Sequence, residues 1–161
     1  MPVLTVVAGP NGSGKSSVIG TLAYEGRENL LDPDAVAKRL NPNNPSLAAV
    51  AAAREVILRT REYLESRQSF VIETTLSSGR TLSTMRQART NGFINRLVYT
   101  CLDTPEKNIR RALERVERGG HHVPEADVRR RYERSLLNLP AALRLADKAF
   151  VTTTQILPAR F

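Results

Sequence analysis

Gly9-Pro10-Asn11-Gly12-Ser13-Gly14-Lys15-Ser16 decides the reading of this chain. The run before it, Val3-Leu4-Thr5-Val6-Val7-Ala8, is too short for a helix and rich in β-branched residues, which predicts a buried parallel strand. The run after it, Ser17-Val18-Ile19-Gly20-Thr21-Leu22, predicts the first turns of a helix. A glycine-rich turn between the two lets successive backbone N–H groups at a helix N-terminus point at phosphate oxygens. In this spacing Lys15 reaches the β- and γ-phosphates and the Ser16 hydroxyl holds Mg²⁺. The expected ligand is therefore ATP or GTP with Mg²⁺, cradled by Gly9, Pro10, Asn11, Gly12, Ser13, Gly14, Lys15, Ser16 and Ser17.

Around this loop, 161 residues with 41% hydrophobic content are the size of one globular domain with a real core, expected to span 1–161. No stretch approaches the ~20 apolar residues that cross a bilayer, and the N-terminus enters a strand directly, so the expected location is cytoplasmic. The lone cysteine, Cys101, sits in the apolar run Leu97-Val98-Tyr99-Thr100-Cys101-Leu102 and reads as a packed strand residue. A net charge of +8 invites a nucleic-acid partner, but 5% aromatic content without tryptophan offers bases little to stack on. Phosphoryl transfer gives the arginines another use.

Strand-like and helix-like segments alternate along the whole chain, the pattern of a parallel sheet built from crossovers. Strands are expected at Val3–Ala8, Asn29–Leu31, Ser69–Glu73, Arg96–Leu102 and Ala149–Val151. A helix from Ser46 to about Arg67 should turn Leu47, Val50, Ala51, Ile57, Leu58 and Leu64 inward, and another runs from about Arg80 to Asn91 with Gly92 as its cap. Thr104-Pro105 opens a helix whose Ile109, Ala112, Leu113 and Val116 share a face, and Gly119-Gly120 ends it. After the turn His121-His122-Val123-Pro124, a helix from Glu125 to Leu139 is expected to stop at Pro140, with a short helix following through Ala141 to Ala146. The expected fold is α/β, a P-loop NTPase three-layer sandwich: a mostly parallel sheet of about five strands, helices on both faces, and a helical lid bearing arginines.

Chemistry is expected at the carboxyl ends of the strands. Asp32 and Asp34 follow the second strand; Asp32 suits helix capping, whereas Asp34 is placed to accept the proton of an attacking hydroxyl. Glu73 ends an apolar strand beside the loop, where an acid orients Mg²⁺ or substrate, and Thr74-Thr75 add hydroxyls. Arg130, Arg131 and Arg134 form one stripe on their helix, with Arg115 and Arg118 as rivals, and any of them could neutralise charge on a transferring phosphoryl group. His121 and His122 are adjacent and lack a cysteine, which fits turn residues better than metal ligands.

Together, Gly9–Ser16, Asp32-Pro33-Asp34, Phe70-Val71-Ile72-Glu73-Thr74-Thr75-Leu76, and Arg118–Pro124 with Arg131-Tyr132 and Asn138-Leu139-Pro140 resemble the zeta toxin family of P-loop kinases. The resemblance covers about residues 3 to 151. It implies a small-molecule kinase on the toxin side of a toxin–antitoxin pair, with an antitoxin protein as partner and UDP-N-acetylglucosamine as the acceptor used by the best-known members. It also implies roles for Lys15 in the phosphate loop, Asp34 as general base, Glu73 beside the substrate and Arg115 as first catalytic arginine. The family's second arginine falls near His121 here, leaving Arg131 or Arg134 to supply that charge. The segment 152–161 departs from the family's ending and reads as a truncated C-terminus. Two other readings stand beside the kinase: a nucleotide-binding protein without turnover, and a nucleic-acid-directed kinase or binder.

Overall fold

The computed structural model of this chain describes residues 1–21, 23–120 and 122–153. Five strands form one sheet, β1 (Val3–Ala8), β2 (Leu30–Leu31), β3 (Phe70–Thr74), β4 (Ile94–Cys101) and β5 (Lys148–Thr153), in the order β2-β3-β1-β4-β5. Every pairing is parallel. Parallel strands need crossovers, and helices supply them: α1 (Lys15–Thr21), α2 (Pro33–Leu40), α3 (Ala49–Ser66), α4 (Gly79–Thr90), α5 (Pro105–Glu117) and α6 (Glu125–Leu145).

The period of two in a strand divides the core between two faces. Leu4, Val6 and Ala8 of β1, with Phe70, Ile72, Leu97 and Tyr99 of its neighbours, meet Leu64 of α3, Leu82 and Met85 of α4, and Ala142 of α6. The alternate residues Val7, Val71 and Val98 face the other way, onto Ile19 of α1 and Tyr24. Central strands buried on both faces read as continuous apolar runs, which is why β1, β3 and β4 were legible in sequence. β5 differs: all six of its residues are exposed.

Several helices depart from expectation. The expected start at Ser46 is a 3-10 turn, Pro45–Ala48, before α3, and neither it nor α3 turns Leu47, Val50 and Leu58 inward; they are 77%, 67% and 64% exposed. Its buried side is Ala52, Thr60 and Leu64, because small residues allow close approach to α2: Ala37 of α2, Ala48 of the preceding turn and Ala52 of α3 form a cluster of their own. Leu113 is likewise exposed on α5, whose buried positions are Asn108, Ile109 and Ala112. Pro140 does not end its helix: α6 runs unbroken through it to Leu145. A proline normally costs a helix interior about 3 kcal/mol. Here Tyr99 and Ser135 share a hydroxyl bond of 2.9 Å before the proline, and Ala142 is fully buried after it, so both halves are fixed to the sheet. α6 is thus part of the core rather than a detached lid.

Candidate active site

Sheet order places the carboxyl ends of β1, β3 and β4 side by side, and the phosphate loop hangs between them. Gly9 N–H donates to Thr74 O of β3 (3.1 Å), and the hydroxyls of Ser13 and Thr100 of β4 are 2.9 Å apart. Gly12 has φ +77°, and a Cβ there would lie 2.5 Å from the carbonyl oxygen of Asn108 on α5. Only glycine combines that dihedral with that approach. Asn108 Nδ2 donates to Asn11 O at 2.7 Å, and Arg131 Nη1 donates to Asn11 Oδ1 at 3.3 Å, so α5 and α6 both grip the loop apex.

Lys15 opens α1 and is folded back on its own loop, its ammonium donating to Gly9 O (2.8 Å) and Pro10 O (3.1 Å). Burial lowers its pKa to about 8, against the opposing pull of Glu73. A desolvated ammonium whose hydrogen bonds go to carbonyl oxygens is primed to exchange them for phosphate oxygens.

Two cavities flank the loop. One, of about 290 Å³, is lined by Gly12, Gly14, Lys15, Ser16 and Ser17 on the loop side and by Arg111, Glu114 and Arg115 of α5 with its C-cap Arg118. The other, of about 480 Å³, is walled by Asp32 and Asp34 at the start of α2, Lys38 in its last turn, and His122 after α5. Ser16, Glu73 and Arg115 line both. A donor phosphate in the first cavity and a hydroxyl compound in the second would meet at these three residues. A hydroxyl and a carboxylate are hard oxygen donors and fit a small divalent cation such as Mg²⁺.

The carboxylates are arranged as the strand ends dictate. Asp32 is the N-cap of α2, its Oδ1 accepting from Asp34 N–H at 2.9 Å, with Pro33 in the first turn. That leaves the Asp34 carboxylate, in the same first turn, without a capping duty. Burial pushes the Asp32 pKa up. It does the same to Glu73, with the nearby Asp32 charge adding to the rise and Lys15 opposing it.

Of the expected residues, the structure thus brings together the loop, Asp34, Glu73 and Arg115. Arg131 holds the loop apex and lines neither cavity, while Arg134 borders a separate hollow with Ser77, Ser78 and Gly79. Arg130 pairs with Asp127 at 2.8 Å. His121 lies outside the described residues. Thr74 and Thr75 are engaged locally, Thr74 Oγ1 with Thr81 Oγ1 of α4 and Leu76 N–H, Thr75 Oγ1 with Ser77 Oγ. Cys101 ends β4 against the core, and burial raises its thiol pKa. Arg111 was missed in sequence; its signal was its place one helical turn before Arg115. Leu76, at the end of the Phe70–Leu76 motif, is fully buried with φ +58°, rare for a branched side chain, and Asn138 Nδ2 holds its carbonyl at 2.8 Å.

Over 124 residues the chain is 35% identical to an uncharacterized protein of Haemophilus influenzae, covering 77% of this chain and 88% of the other. Among solved structures, a candidate kinase of Chloroflexus aurantiacus has a TM-score of 0.68 at 18% identity, covering 99% of this chain and 92% of that one. A structure from the PezAT chromosomal toxin–antitoxin system of Streptococcus pneumoniae has a TM-score of 0.72 at 15% identity, with 95% and 68% covered. Likeness at such low identity shows a shared P-loop kinase-like fold. The AAA domain family AAA_33 matches residues 4–135, a span holding the phosphate loop, the carboxylates and the arginines of α5, and the chain belongs to that family.

Proposed function

We propose that this chain is an ATP-dependent phosphotransferase that phosphorylates the hydroxyl of a small molecule. The observation that carries the reading is the meeting of two cavities at Ser16, Glu73 and Arg115. The loop amides and Lys15 hold the donor phosphates. Ser16 and Glu73 would hold Mg²⁺, which when bound offsets charge on the phosphates. Asp34 takes the proton of the acceptor hydroxyl, whose oxygen bonds to the γ-phosphorus as the bond to the ADP oxygen breaks. Arg115, with Arg111 and Arg118 beside it, stabilises charge spread over the transferring group. The resemblance to zeta toxins makes UDP-N-acetylglucosamine the first acceptor to try, and an antitoxin protein the first partner to seek.

The test is transfer from γ-labelled ATP with Mg²⁺ to a panel of UDP-sugars, nucleosides and short RNAs. Asp34→Asn should lower transfer at least ~100-fold while leaving ATP binding intact, as loss of a general base does. Label on a UDP-sugar supports the toxin-like reaction. Label on RNA moves the acceptor to nucleic acid, and ATP binding with no labelled acceptor overturns the kinase reading.

A further inference from the structure

α5 ends in a Schellman motif. Gly119 N–H donates to Val116 O at 2.9 Å, and Gly120 N–H donates to Arg115 O at 2.8 Å. The two glycines do different work. Gly119 has φ +85°, and a Cβ built there has no atom within 4 Å, so its requirement is purely one of backbone dihedral. Gly120 has no such dihedral, but a Cβ there would stand 2.6 Å from Arg115 O and 2.8 Å from Arg115 Cγ. The carbonyl cannot yield without breaking the motif that ends the helix. The movable part is the Arg115 stem, and every bond beyond Cγ magnifies its displacement at the guanidinium.

We propose that Gly120 is a positioning residue for Arg115: its missing side chain leaves the space through which the Arg115 stem runs to the wall shared by the two cavities. This rests on the reading of Arg115 as the arginine that meets the transferring phosphoryl group. The sequence signal, two glycines after a helix, read only as a helix end. The division of labour between them comes from what surrounds each one.

The experiment compares Gly120→Ala, Gly119→Ala, Arg115→Ala and the double variant Arg115→Ala/Gly120→Ala in the full chain. ATP and ADP affinities are measured by titration calorimetry and folding by thermal melts. Arg115→Ala should cut the preference for ATP over ADP at least ~10-fold, the scale of a lost charge-assisted contact. Gly120→Ala should reproduce most of that loss, and adding it to Arg115→Ala should change the preference less than about 2-fold, since both act through one side chain. Gly119→Ala should melt earlier yet keep the wild-type preference. The Arg115 carbonyl, 2.6 Å from the new Cβ, stays in place when position 115 is truncated, so the double variant sheds only the Cγ contact and should melt above Gly120→Ala but below wild type. Wild-type preference in a folded Gly120→Ala, no change in Arg115→Ala, full multiplication of the two losses, or a double variant that melts no higher than Gly120→Ala would each overturn the proposal. None of these titrations needs an acceptor, so absence of phosphoryl transfer would remove the kinase reading separately.

Discussion

Lys15 carries the most direct pH consequence of any single residue. Its pKa of about 8 comes from burial against carbonyl oxygens, and a phosphate in the adjacent cavity would replace those dipoles with full negative charge. Binding therefore raises the pKa, and the protein takes up a proton wherever the free lysine is partly neutral. At pH 8.5 roughly three-quarters of the free side chains are neutral, so ATP binding should draw in up to about three-quarters of a proton per site. At pH 6.5 the uptake from this group should vanish. Calorimetry in two buffers of different ionisation enthalpy measures it, and Lys15→Met should abolish the uptake at pH 8.5. The same residue shows what a motif conveys and what it leaves out. Spacing alone marks Lys15 as the phosphate lysine, but its parked position on Gly9 O and Pro10 O depends on the folded loop.

The decisive element is α5. Asn108, Arg111, Arg115 and Arg118 recur at helical spacing, so one stripe carries both an anchor and three cations. Asn108 is fully buried, and its bond to Asn11 O sets the register of that stripe against the phosphate loop. Asn108→Ala should cost about 1–3 kcal/mol, because a buried carbonyl loses its donor, and should also weaken ATP binding. Lys107→Ala, which removes only an exposed ion pair with Asp103, should do neither. Urea unfolding and nucleotide titration on the two variants check both effects. Sequence periodicity found the helix and its Thr104 cap but counted only apolar residues, so the buried amide was invisible to it. Leu113, apolar and on the expected face, is exposed for the complementary reason: the neighbours that bury α5 are the loop and α6.

For the whole molecule, the sheet order makes β1, β3 and β4 the structural centre and β5 the rim. Leu97→Ala, at a site with no exposure, should cost about 2–5 kcal/mol, whereas Phe150→Ala, at 60% exposure, should cost well under that despite removing a larger side chain. Denaturant midpoints of the two variants test this ordering. Much of the architecture was legible because its causes are local. Strands buried on both faces are continuous apolar runs, Asp32-Pro33 and Thr104-Pro105 are helix starts that bond their own first turns, and the loop motif has its flanks built in. What failed to show in sequence has non-local causes. The buried face of α3 depends on α2 lying against its alanines, and the persistence of α6 through Pro140 depends on the sheet beneath it. The choice among the arginines follows the same rule, since Arg115 and Arg134 are equally plausible cations on paper and packing puts only Arg115 between the cavities. The sequence by itself determined the glycine-rich loop between strand and helix, with its lysine and serine in place, because a turn's dihedrals and a helix's N-terminal amides are properties of adjacent residues. Tertiary structure alone decided which charges line the cavities beside that loop, because that depends on side chains brought together from strands and helices far apart in the chain.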